Sequence, residues 1–483
     1  LLVMAVLALG GVCSAQEAAG PGPVRSLLGP LTNLSSGGRF PDRPVDADDD
    51  YFVVPRAFGA RRETEPPRYV RGLDEVDWLG REEASWLDLG LDYRARYDLR
   101  HNDFRRPELG INDPFLLRTR AYLGVKEILD PFRFAAEFED ARRYNSLEPI
   151  DGRDVNQHEL IQLFGELYFE EPLGIDKTLR LQAGRLAFEY TDRRLISRAD
   201  WRNTTNNFQG VRGTLGEEPD NWQLDVLAVQ PMERNPSGLD QADPGTLFFG
   251  VVGDWRQWSH IVTWQPYYLL YQQDDRDGRA DREIHTVALR GYGVNAETNI
   301  DYDLDVALQF GRDDGRQHRA FALHTDVGYT FDTPTTPRVS AGFGYASGDR
   351  DPNDNRSNRF DRLYGFGRPW SINDYFNWDN LITPRVRFSC QINEHANLEA
   401  SYSAFWLASA TDSWLLADLQ DPTGQSGTFL GHELEAHFRW SATKRTDIIV
   451  GYAYFAPGEF PKNLGRNQAS NYLYVQTLVR LFE

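Results

Sequence analysis

Apolar and polar positions alternate along most of the chain, starting at Trp86. In the first segment Leu87, Leu89, Leu91, Tyr93, Ala95 and Tyr97 share one face, and Asp88, Asp92, Arg94, Arg96 and Asp98 the other. The next sets Leu117, Thr119, Ala121, Leu123 and Val125 against Arg118 and Arg120. A third sets Phe132, Phe134, Ala136 and Phe138 against Arg133, Glu137 and Glu139, and the last sets Leu473, Val475, Thr477, Val479 and Leu481 against Gln476 and Arg480. Successive side chains of a strand point to opposite faces, so each segment predicts a strand with one apolar and one ionisable side. About eighteen such segments follow one another, most about ten to thirteen residues long, which suits a tilted membrane-crossing strand.

The connections alternate in length. Short ones are predicted at 126–131, 170–177, 216–220, 255–258, 294–298, 332–337, 393–396 and 441–446. Longer polar loops fall at 99–114, 141–158, 188–206, 231–245, 273–281, 311–318, 348–379, 410–428 and 457–470. Tight turns at one rim and long loops at the other mark an all-β, transmembrane, antiparallel up-and-down barrel with periplasmic turns. A soluble sandwich or propeller has no reason to keep that alternation. Trp86, Trp222, Trp255, Trp258 and Trp440 sit near predicted strand ends, where indole rings favour the membrane–water boundary. The barrel is therefore expected over 86–483, in a bacterial outer membrane.

Bulk composition adds little, because 26% charged residues and a net charge of −20 would also suit a soluble acidic globule. The apolar run 1–12, followed by Cys13, Ser14 and Ala15, predicts a secretory signal peptide over 1–15. Val12 is bulkier than lipoprotein cleavage before Cys13 accepts. Residues 16–80, rich in Pro, Gly, Asp and Arg, predict a flexible extension. Cys390 then stands as a single thiol, which cannot close an intramolecular disulfide.

No nucleophile elbow, metal-spaced His pair, CxxC or phosphate loop occurs, so neither an enzyme nor a cofactor or metal site is expected. Glu137 and Glu139 share a face, which is ordinary for a polar pore wall. Arginine stands out instead. Arg94, Arg96, Arg118, Arg120, Arg180, Arg212, Arg385, Arg387, Arg439 and Arg480 all fall on ionisable faces. Guanidinium is permanently charged and its planar fork matches a carboxylate. A lumen lined with such forks, interleaved with Asp and Glu, would attract an anionic solute while keeping each contact weak, as conduction requires. The same groups could instead pair with acids across strands and stiffen the wall. The two readings do not exclude each other.

The stretch Gly184–Arg212 reads GRLAFEYTDRRLISRADWRNTTNNFQGVR. With Asp92–Tyr97 and Leu117–Arg120 it resembles the alginate export outer-membrane porin family, over roughly 86–483. The resemblance implies a monomeric barrel of eighteen strands with an electropositive constriction, exporting an anionic uronate polymer. By match it assigns Arg94, Arg96, Arg118, Arg120, Arg185, Arg194, Arg202 and Arg212 to the polymer-facing wall, and the strand pattern adds Arg385 and Arg387. Expected partners are an anionic polysaccharide or other carboxylate solute, outer-membrane lipid and a periplasmic export-complex protein, with no nucleic acid. An uptake porin for small acids or oligosaccharides would use the same arginines, and a plugged barrel displaying loops for adhesion is the reading from another class. Loop 348–379, with Tyr364, Phe366, Trp370, Tyr375 and Trp378, is either a plug or a disordered surface loop. The extension before Trp86 has no counterpart in the resemblance.

Overall fold

Eighteen long strands run up and down and close on themselves. The structure is a computed structural model that describes residues 63–76, 84–218, 220–256, 259, 261–276, 278–295, 297–351 and 353–482. The expected signal peptide, the extension up to residue 62, and Trp258 lie outside the described residues. The barrel strands are β1 (Leu87–His101), β2 (Phe115–Val125), β3 (Phe132–Tyr144), β4 (Asn156–Phe169), β5 (Leu179–Leu186), β6 (Phe208–Leu215), β7 (Trp222–Glu233), β8 (Thr246–Trp255) and β9 (Thr263–Gln273). They continue as β10 (Arg282–Asn295), β11 (Ile300–Asp313), β12 (Arg316–Thr330), β13 (Arg338–Ala346), β14 (Leu381–Asn393), β15 (Ala396–Trp406), β16 (Phe429–Thr443), β17 (Thr446–Pro457) and β18 (Ser470–Arg480). Each pairs antiparallel with its neighbours. β1 pairs with β2 on one side (Leu87 opposite Val125) and with β18 on the other (Asp92 opposite Arg480), which closes the barrel.

The alternation read from sequence sets the two faces. On β1, Asp92, Arg94, Arg96 and Asp98 are buried while Tyr93 and Tyr97 face out. Leu123, Phe134, Leu163, Leu181, Val211, Leu289, Leu308, Val327, Val386 and Leu434 continue the outer apolar band around the wall. Exposed apolar surface costs roughly 25 cal/mol per Å² in water, so a continuous band of it calls for lipid. Trp222 lies opposite Trp255, and Trp255 opposite Trp264, at the short-turn rim, and Trp440 lies near the same end of β16. These form part of an aromatic girdle.

Seven of the eight short connections lie where the pattern predicts them, while the one expected at 255–258 spans the interval from the end of β8 at Trp255 to the start of β9 at Thr263. One long loop also departs from the pattern. Residues 311–318 belong mostly to β11 and β12, which meet in a two-residue turn at Asp314 and Gly315 with φ of 53° and 73°. Two successive positive φ values make a type I′ turn, the preferred hairpin for an Asp-Gly pair. The charged run around it reads as loop, yet the dipeptide is the stronger signal. Strand lengths also spread wider than expected, from eight residues in β5 and β6 to fifteen in β1.

Part of the expected flexible extension is fixed in place. Val70–Gly72 form a short strand against Asp88–Gly90 of β1, continuing the seam where β18 stops at Arg480. Tyr69 and Val70 are buried. Tyr69 finds a carboxylate partner on the inner wall, and the short strand satisfies backbone groups that the end of β18 leaves open.

Two long loops fold into the lumen, 187–207 between β5 and β6 and 347–380 between β13 and β14. They touch each other where Ile196 pairs with Tyr364. The long-loop half of the lumen is packed with rings. Phe376 stacks on Phe405 at 3.9 Å and on Trp414 at 5.1 Å, and Phe104 joins them. Trp370 and Trp378 are fully buried. Within loop 348–379, residues 360–378 are thus an inward plug whose aromatic residues supply the core that the barrel wall turns towards lipid, while Arg356–Ser357 pair with Gln317–His318 at the start of β12.

Candidate functional site

The site is the lumen between this plug and the inner wall. Loop 187–207 is clamped by residues of β1 to β3. Arg94 donates to the Asp200 carbonyl at 2.6 Å, and Arg96 donates to the Trp201 carbonyl at 2.6 Å while its guanidinium lies 4.4 Å from the Trp201 ring. Asp200 meets Arg118 at 2.9 Å and Arg120 at 3.1 Å. Burial would raise the Asp200 pKa, but Arg118, Arg120 and Arg94 outweigh it and hold the carboxyl well below the usual range. The Asn203 amide nitrogen lies 2.9 to 3.0 Å from the backbone carbonyl oxygens of Leu117, Arg142 and Asp154 and shares its two N–H groups among them, so one amide bridges neighbouring strands. Both carboxylate oxygens of Glu137 accept from one nitrogen of Arg198, Nη2, at 2.8 and 2.9 Å, and Glu139 accepts from Thr205.

Glu137, Glu139, Asp200 and Asn203 are therefore the anchors that arginine counting passes over. Their signal was legible only in part. Two carboxylates on one inward face announced a polar wall, but not that a distant loop would meet them.

The strand positions of this loop explain its glycines. Gly184 of β5 lies opposite Gly210 of β6, with φ of 137° and 157°. A Cβ on Gly184 would sit 2.3 Å from the Leu163 carbonyl oxygen. Only glycine fits there without moving β4.

The ten arginines expected on the wall divide into groups. Arg94, Arg96, Arg118, Arg120 and Arg212 are inward and buried on β1, β2 and β6. Arg385 and Arg387 of β14 both donate to the Pro369 carbonyl of the second plug loop. Arg194 and Arg202 stand on the plug itself, not on the wall. Burial pushes each of these two guanidiniums down to about 9. Arg185 is tied to Glu159 and to the Asp240 carbonyl, which engages its fork away from the plug. The second plug loop is held from the other side, where Ser371 and Asn373 donate to Glu433 at 2.8 and 2.6 Å.

A narrow cleft of about 90 Å³ remains beside the plug, below the roughly 300 Å³ at which ligand pockets begin. Arg68, Arg94, Arg120, Arg368, Arg439 and Arg480 line it against Glu63, Asp92, Asp200 and Asp447. A second cleft shares Arg368 and His437 with the first and reaches Arg387. The two trace a line of guanidiniums along β14 to β18 and β1.

Asp192, Asp303 and His324 bring possible metal-ligand atoms within 4.8 Å of one another. Arg290 already takes both oxygens of Asp303, and Arg194 contacts Asp192. Guanidinium charge fills the place a cation would need.

Comparison with known proteins decides the family. The alginate export family model matches residues 85–476. The chain belongs to the alginate export family. No curated protein matches it in sequence. Its fold is similar to OccK3 (OpdO) of Pseudomonas aeruginosa, with 16% identity over 84% of this chain and 97% of that one and a TM-score of 0.56. It is similar also to the outer membrane protein OpdK of the same organism (12% identity, 81% and 98% covered, TM-score 0.57) and to OccAB1 of Acinetobacter baumannii (9% identity, 81% and 96% covered, TM-score 0.55). This member of the alginate export family is an outer-membrane β-barrel channel and not an enzyme. The series Gly184–Arg212 that carried the resemblance is the first plug loop with its two flanking strands.

Proposed function

We propose that this channel passes an anionic polysaccharide, an alginate-like uronate polymer, or a similar carboxylate-bearing solute along the arginine side of its lumen. The observation that carries this reading is the way the plug sits on the wall. Arg94, Arg96, Arg385 and Arg387 are all capped by backbone carbonyls of the plug loops. A carbonyl is a neutral acceptor. A charge-assisted hydrogen bond to carboxylate is roughly twice as strong, so a uronate can replace each plug contact at a guanidinium. Arg118, Arg120 and Arg212 extend the same wall, whereas Arg194 and Arg202 would move with the plug and Arg185 takes no part.

The narrowness of the cleft favours a second reading, passage of single small acids without displacement of the plug. Oligouronates of increasing length, added during planar-bilayer recording, separate the two. The polymer reading expects the half-blocking concentration to fall as the oligomer lengthens, because successive carboxylates find successive guanidiniums. Block that does not depend on length would favour small acids. Absence of any block would contradict both.

A further inference from the structure

The segment 63–70 presents carboxylates to the arginine wall from within the chain. Glu63 lies 3.6 Å from Arg120, and Glu65 contacts Arg212. These arginines come from β2 and β6, and both are buried. Each also holds a wall acid, Asp92 at 3.3 Å for Arg120 and Asp225 at 2.8 Å for Arg212. Arg212 thus holds one carboxylate from the barrel and one brought by the segment, while Arg120 holds Asp92 of the barrel, Asp200 of the first plug loop at 3.1 Å and Glu63 of the segment. Tyr69 packs its ring 4.7 Å from Arg120 and donates its hydroxyl to Glu137 at 2.8 Å. The Glu63 backbone N–H donates to Glu189 of the first plug loop at 2.7 Å. The segment is therefore seated on wall and plug together, and Val70–Gly72 fasten its end to β1.

We infer that residues 63–70 act as an intramolecular substitute for the transported solute, holding two carboxylate subsites, Arg120 and Arg212, that the solute must take over. This inference rests on the arginine-wall reading and adds an occupant to it. Two acids with one residue, Thr64, between them, set on two permanent cations beside an aromatic ring, reproduce the chemistry of a short acidic polymer. Neutral amides in their place would keep the shape and lose the charge. Displacement by a soluble uronate would then free Tyr69 and clear the short-turn side of the cleft, which Glu63, Arg68 and Tyr69 line.

The test compares the full chain with E63Q/E65Q in planar bilayers, first in KCl alone and then with added oligouronate. Removing the competitor raises the fraction of channels open to solute, so the half-blocking concentration should fall about tenfold. Conductance in KCl alone should rise as well. Unchanged conductance together with unchanged block overturns the inference. A rise in KCl with no block in either protein would keep the segment as a plug and remove the anionic-solute reading. A second variant controls for a general loss of charge or of fold. Asp74→Asn removes an exposed acid just beyond the short strand, and it should keep the native conductance and the native half-blocking concentration. E63Q/E65Q should keep the native strand content by circular dichroism. An Asp74→Asn effect as large as that of E63Q/E65Q overturns the inference too.

Discussion

Asp200→Asn is expected to raise single-channel conductance, by releasing the first plug loop from β1 and β2. Asp200 holds Arg118 and Arg120, whose side chains are nearly fully buried, and its own carboxylate is about one-third exposed. Breaking a fully buried pair costs about 3–5 kcal/mol, and the partial exposure here reduces that to about 2 kcal/mol. Such a shift changes the ratio of closed to open loop about thirtyfold. The backbone bonds from Arg94 and Arg96 remain, so the loop should exchange between seated and free states and the current should flicker. The pH dependence follows from the sign of the Asp200 shift. A carboxyl held well below its usual range keeps its pairing above the ordinary carboxylate pKa and loses it only as pH falls through the lowered value. Taking the native channel from pH 8 to pH 5 should therefore leave this latch closed. A rise in conductance over that interval would contradict the assignment.

Glu137→Gln should have the larger effect. Glu137 is fully buried and receives Arg198 from the plug, Tyr69 from the amino-terminal segment and Gln162 from β4. An amide offers one acceptor where the carboxylate offers two, and it leaves the Arg198 charge buried without a counterion. The expected cost is about 3–5 kcal/mol. That cost falls on the plug and the segment, because the ladder between β3 and its neighbours uses backbone groups. The variant should give a persistently open, noisier channel whose strand content by circular dichroism equals the native one. Loss of the barrel itself would show that Glu137 supports the wall instead.

The barrel was legible because its signals repeat. Alternation fixed the faces of β1, β2, β3 and β18, and connection length fixed the two rims. The lumen was less legible, because its contents are made by contacts between residues far apart in sequence. Arg94 meets the carbonyl of Asp200, and Arg385 meets that of Pro369. A carbonyl acceptor leaves no trace in residue type, so the arginines could be seen and their partners could not. Tyr69 shows the same limit from the other side. Its surroundings, rich in Pro and charge, lack any strand period, yet three residues beside it pair with β1 because β18 ends early. The turn at Asp314 and Gly315 is a different case, in which a local rule was present and the surrounding charges hid it.

The most direct measurement is the reversal potential of the open channel in a KCl gradient, made on the Asp200→Asn variant so that the first plug loop is released. Guanidiniums lining the passage should set that potential on the chloride side. Adding R118E/R120E should move it towards the potassium side. A potassium-selective pore in the first case, or no movement in the second, would contradict a wall of arginines in contact with the solute.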